Sequence, residues 1–90
     1  MREARHLMVS GKVQGVGFRY FAQLTAADYH VTGWVKNLDN GAVALHAEST
    51  AGQLDSFVTH LKKGNHFSLV HRIEEEPAPL ESFTSFRIKH

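Results

Sequence analysis

Two short alternating runs joined by Leu38-Asp39-Asn40-Gly41 constrain this chain more than any other feature. From Val31 to Leu38 the period is two, with Gly33, Val35 and Asn37 on one face and Thr32, Trp34 and Lys36 on the other. From Ala42 to Glu48, Val43, Leu45 and Ala47 share a face. Such alternation marks half-buried strands, and a glycine-containing turn between two of them marks a hairpin. Loop length then sets the register. A loop of Asn40-Gly41 alone puts Val35 opposite His46 and Asn37 opposite Ala44. A loop of Asp39 to Gly41 puts Val35 opposite Leu45 and Asn37 opposite Val43, with Gly41 in the left-handed conformation. The second register gathers the apolar residues on one face, and a slip of one residue would turn them all outward, so it is the expected one. It leaves Asn37 on the core-facing side, beside the loop.

Around this hairpin the period changes twice. His6 to Val13 reads as a strand, with Leu7 and Val9 on one face and His6 and Ser10 on the other. Met8 interrupts the alternation, which suggests cover on both sides. After Gly15-Val16-Gly17 the spacing becomes three and four: Phe18, Phe21, Ala22, Thr25 and Tyr29 form one helical stripe. Arg19 lies beside that stripe, in the first turn. A second helix follows the hairpin. Thr50 and Gln53 fit a capping box, and Leu54, Phe57, Val58 and Leu61 form its buried face. Lys62 and Lys63 suit the negative end of the dipole, and Gly64 ends the helix. A fourth strand is expected from about Ser68 to about Glu75. Its apolar residues Leu69, Val70 and Ile73 fail to alternate, which implies a bulge at no assignable position. Glu74-Glu75-Glu76 reads as a solvated strand end or turn, and Pro77-Ala78-Pro79 as a loop. Phe86 and Ile88 mark a short last strand. The order is β-α-β-β-α-β with a short final strand. It predicts an α+β, ferredoxin-like sandwich: an antiparallel sheet with two helices on one face, one domain over residues 1–90.

Composition removes several classes of function. Ten Lys+Arg against nine Asp+Glu, a net charge of +1, leave no dense basic face for nucleic acid. The absence of cysteine excludes a thiol nucleophile, a cysteine-ligated metal and a disulfide scaffold. No apolar run approaches the roughly 18 residues of a membrane span, and no signal peptide follows the charged start. A cytoplasmic protein, monomeric by default, is the expectation.

The segment between the first strand and the first helix is where chemistry can reside. Backbone N–H groups from Gln14 to Arg19 can converge there, because the first donors of a helix have no internal partner and its dipole favours anions. Gly15 and Gly17 let a ligand approach the main chain. Arg19 adds a permanent cation whose fork of donors matches a phosphate or carboxylate. Alone, the pattern also fits a plain structural turn. It lacks the Gly-Lys-Ser/Thr ending of a Walker loop and the parallel β-α-β context of a dinucleotide fingerprint.

Gly11-Lys12-Val13-Gln14-Gly15-Val16-Gly17-Phe18-Arg19 closely resembles the first signature of the acylphosphatase family. Gly33-Trp34-Val35-Lys36-Asn37-Leu38, with Gly41 shortly after, resembles the second, in the expected order and at a similar separation. Small departures occur at His30, at Ala44, where a polar residue is common, and at His66, where proline is frequent. The resemblance implies hydrolysis of acyl phosphates, such as 1,3-bisphosphoglycerate or carbamoyl phosphate, without a cofactor or metal. It makes Arg19 the phosphate-binding arginine, Asn37 the water-orienting amide, and Gln14, Gly15, Val16, Gly17 and Phe18 the cradle for the phosphate oxygens. The chemistry is consistent. Arg19 stays protonated and acts as a charge clamp, and Asn37 is no base but can hold a water in line. The carboxylate leaving group needs little general-acid help.

Other residues read more plainly. The seven histidines show no ligand spacing and read as surface or partly buried side chains. Trp34 reads as packing, Tyr20 as cover for the helix surface, with a part in shaping the acyl side of the pocket as the alternative, and Gly33 as a close backbone approach or bulge. Two rivals to an enzyme stand beside it. One is a phosphate- or carbamoyl-phosphate-binding module without turnover. The other is an RNA-binding module, opposed by a third strand, Ala42 to Ala47, that offers no stacking ring.

Overall fold

A computed structural model describes residues 1–90. The elements are β1 (Glu3–Lys12), α1 (Phe18–Asp28), β2 (Thr32–Asn37), β3 (Val43–Ser49), α2 (Ala51–Lys63), β4 (Leu69–Ala78) and β5 (Phe86–Lys89). They form one sheet in the order β4-β1-β3-β2-β5. The first three neighbouring pairs in that order are antiparallel. β5 instead runs parallel to β2, from Gly33 opposite Phe86 to Lys36 opposite Lys89, so the sheet is mixed rather than wholly antiparallel. The architecture is otherwise the expected ferredoxin-like sandwich.

The hairpin register is the one that its apolar face demands: Val35 pairs with Leu45 and Asn37 with Val43. Leu7, Val9, Val35, Val43, Leu45 and Ala47 line one sheet face and pack against Phe18, Ala22, Ala26, Leu54, Phe57, Val58 and Leu61 of the helices. The capping residues act as expected. Thr50 Oγ1 accepts from the Gln53 N–H at 3.3 Å, and Gly64 closes α2 at φ 68°. A Cβ on Gly33 would collide with the His46 carbonyl oxygen, so the close backbone approach is real.

β4 is longer than expected, and it carries the expected bulge at a definite place. It runs on to Ala78, taking Glu74-Glu75-Glu76 and Pro77 into the strand. Pro77, opposite Arg5, is tolerated because β4 is an edge strand and its missing N–H is not needed by a further neighbour. The bulge falls at His71: Ser10 faces Arg72, but Gly11 faces Val70.

The second sheet face corrects the reading of the histidines. His46 and Glu48 are both 0% exposed, in hydrogen-bond contact at 2.8 Å from Nε2 to Oε2. The segment between β4 and β5 covers them. Glu48 accepts from the backbone N–H of Glu81 at 2.6 Å and of Phe83 at 3.0 Å, and the Phe83 ring packs edge-on against His46 at 5.4 Å. Ser82, between the two donors, has a φ of 60°, and this left-handed turn lets both N–H groups converge on one carboxylate. Trp34 packs on the same face beside His46, with Lys36 and Lys89 over its ring at 5.3 and 4.6 Å, in keeping with a packing role.

Candidate functional site

Topology brings the site together. β1 and β2 both pair antiparallel with β3, so they run in the same direction, and β5 is parallel to β2. The ends of these three strands therefore deliver the Gln14–Gly17 loop, Asn37 and the Lys89-His90 terminus to one end of the sheet. β4 runs against β1, so the α2–β4 loop reaches the same end.

The loop enters α1 through Gly17, at φ 76°, with no side-chain cap on the helix. None of the backbone N–H groups from Gln14 to Tyr20 has a partner in the protein; the first bonded donor is Phe21, to the Gly17 carbonyl at 3.0 Å. A run of free donors at the positive end of a helix is chemically suited to an anion. Arg19 extends beside it. Its Nη1 donates to the Lys89 carbonyl at 3.0 Å and approaches His90 Nδ1 at 3.4 Å, leaving Nε and Nη2 without a partner. Gly15, Gly17, Arg19, Tyr20, Asn37, Ile88 and His90 are among the residues lining one concavity of about 230 Å³, to which no Asp or Glu contributes. Asn37 is exposed there, and its amide makes no hydrogen bond within the protein.

The residues expected to bind substrate divide by what their side chains do. Phe18 is 1% exposed and anchors α1 in the core, so only its main chain faces the site. Val16 packs partly against the same core. Gln14 spends its side chain elsewhere: Nε2 donates to the Leu38 carbonyl at 2.7 Å and to the Ala42 carbonyl at 2.8 Å. It thereby fastens the loop to the two ends of the hairpin turn, immediately after Asn37. Only its backbone N–H is left for a ligand. Tyr20 is exposed at the rim, on the lining rather than merely on the helix surface.

Three contributors escape a reading of the sequence. Lys89 and His90 hold Arg19, and Asn65 donates from Nδ2 to the Val16 carbonyl at 2.8 Å. The only signal for Asn65 is an amide directly after the helix-ending glycine. A second concavity, about 280 Å³, lies on the other sheet face between Trp34, His6 and the Glu74–Glu76 edge. It holds neither the loop nor Arg19.

Comparison with known proteins agrees with this geometry. A family model for acylphosphatase matches residues 5–88. An acylphosphatase of Clostridium beijerinckii is 46% identical over 84 residues, which are 92% of this chain and 93% of that one. One of Bacillus licheniformis is 42% identical over 85 residues, 93% and 94% of the two chains. The crystal structure of acylphosphatase from Bacillus subtilis superposes with a TM-score of 0.95 at 42% identity, covering 100% of both chains. The motifs around Gly15-Val16-Gly17 and Asn37, the sheet order and these matches over nearly the whole length place the chain in the acylphosphatase family.

Proposed function

We propose that this chain hydrolyses the carboxyl–phosphate bond of acyl phosphates by attack of a water on phosphorus, the water held by Asn37 and the phosphate by Arg19 and the Gln14–Phe18 main chain. The observation that supports this most is the free donor run at the start of α1, sharing a concavity with Arg19 and Asn37. Donors fixed before the substrate arrives stabilise developing charge without reorganising. Arg19 is already oriented by the Lys89 carbonyl, so its remaining donors point without further loss of side-chain freedom.

The reaction balances without a protein base. The acyl phosphate dianion and water give a carboxylate and dihydrogen phosphate, both protons of the water ending on phosphate oxygens. The P–O bond to the leaving carboxylate breaks as the new one forms, and a carboxylate leaves without protonation. No Asp or Glu lines the concavity, which fits this substrate-assisted route. No cofactor or metal enters the scheme.

Benzoyl phosphate hydrolysis in the presence of EDTA, with inorganic phosphate as competitor, tests the reading. Turnover inhibited competitively by phosphate is expected. Arg19→Ala should weaken phosphate inhibition, and Asn37→Ala should lower kcat by about 10²–10³ while phosphate affinity persists. Phosphate binding without turnover would instead assign a binding module.

A further inference from the structure

The peptide between Val16 and Gly17 is one whose plane glycine leaves free to turn over. Gly17 lies at φ 76° and, lacking a Cβ, tolerates either sign of φ, so the plane between Val16 and Gly17 can rotate with little steric resistance. Its orientation decides whether the Gly17 N–H faces the concavity or the protein. One contact fixes it: Asn65 Nδ2 donates to the Val16 carbonyl at 2.8 Å, from the α2–β4 loop beneath. No peptide in the chain is cis, so this carbonyl and the Gly17 N–H point in opposite directions. Holding the carbonyl toward Asn65 therefore turns the Gly17 donor away from Asn65. Asn65 is itself held, its N–H donating to Ser68 Oγ at 2.8 Å.

We propose that Asn65 is a positioning residue, which locks the Val16–Gly17 peptide so that the Gly17 N–H meets the phosphate; this rests on the phosphate-cradle reading given above. Stability alone does not account for the amide. Its Oδ1 is buried without a hydrogen-bond partner, a desolvation cost that opposes whatever the Nδ2 bond contributes. An apolar isostere removes both at once, and the Val16 carbonyl, released on a peptide that glycine lets rotate, can turn to water instead of being stranded. Its effect on folding should be small, and its effect on the site should not be.

Asn65→Leu and Asn65→Asp test this, read by urea midpoint, by kcat/KM with benzoyl phosphate and by the inhibition constant of inorganic phosphate. For Asn65→Leu the urea midpoint is expected near that of the parent, with phosphate inhibition and kcat/KM each weakened about tenfold. An ionised carboxylate cannot donate to a carbonyl, so Asn65→Asp should lose more at pH 7. It should regain phosphate affinity relative to the parent as pH falls toward 5, because a protonated carboxyl donates again and burial raises its pKa. Unchanged phosphate affinity in Asn65→Leu, against a parent that is active and phosphate-inhibited, overturns the proposal and leaves the hydrolase reading standing. Losses that only track a lowered urea midpoint, with no recovery in Asn65→Asp, also overturn it. A parent that neither binds phosphate nor turns over removes both.

Discussion

Replacing Glu48 by Gln removes a single charge from a site with no exposure, and the structure sets the cost. The two carboxylate oxygens accept three hydrogen bonds: Oε2 from the Glu81 N–H at 2.6 Å and His46 Nε2 at 2.8 Å, Oε1 from the Phe83 N–H at 3.0 Å. All three are donors, so the carboxamide can satisfy at most one side and must turn its own NH₂ toward another N–H. A stranded buried donor costs about 1–3 kcal/mol, and a hydrogen bond to a charged acceptor is worth about 1.5–3 kcal/mol. We expect Glu48→Gln to destabilise the fold by about 3 kcal/mol. That corresponds to a fall in Tm of about 10–20 °C for a domain of this size. Circular dichroism during thermal and urea unfolding measures it. A loss below about 0.5 kcal/mol would refute the reasoning, because it would mean that the carboxylate does not hold the segment between β4 and β5.

The same group gives a pH dependence with a definite sign. Burial is the largest single influence on Glu48 and pushes its carboxyl up, but the Glu81 N–H, His46 and the Phe83 N–H together outweigh it. The carboxyl is held below its ordinary value. A carboxyl depressed in the folded state contributes stability in full above its unfolded pKa, about 4.3, and loses it as pH falls through the lower folded value. The parent should therefore lose stability below about pH 4.3 more steeply than Glu48→Gln. The effect reaches the site, since the segment that Glu48 holds leads into β5, whose end carries the Lys89 carbonyl that orients Arg19.

Two further outcomes follow from the site. Gln14→Leu removes both bonds to the hairpin turn; it should cost about 1–3 kcal/mol in urea unfolding and weaken phosphate inhibition, since Leu38 and Ala42 lose a shared donor beside Asn37. His90→Ala should leave the shape of the pH–rate profile unchanged, although His90 lines the concavity; loss of one limb would make it a base and refute proton transfer to the phosphate.

Much of this molecule is legible in the sequence where periodicity and turn chemistry act locally. The hairpin register follows from the Val35–Leu45 face, the helices from their stripes, and the candidate site is suggested by two motifs and a helix N-terminus. What stays hidden is set by partners distant in the chain. The direction of β5 depends on a crossover rather than on Phe86 and Ile88 themselves. The bulge at His71 reverses the phase of an edge strand whose Leu69 is exposed, so Leu69, Val70 and Ile73 give no single face to read. His46 and Glu48 alternate with a core face and look solvated. They are buried by a segment more than thirty residues on, which carries no periodic signal. Gln14 and Asn65 act through single bonds to carbonyls, and such bonds leave no spacing pattern in a sequence.

The most direct test of the central claim is turnover of benzoyl phosphate in ¹⁸O-labelled water, with the label followed by mass spectrometry in parent and Asn37→Ala. Attack on phosphorus by an Asn37-held water places the label in inorganic phosphate, with turnover falling about 10²–10³ in the variant. Label in benzoate, or normal turnover in Asn37→Ala, would contradict the account.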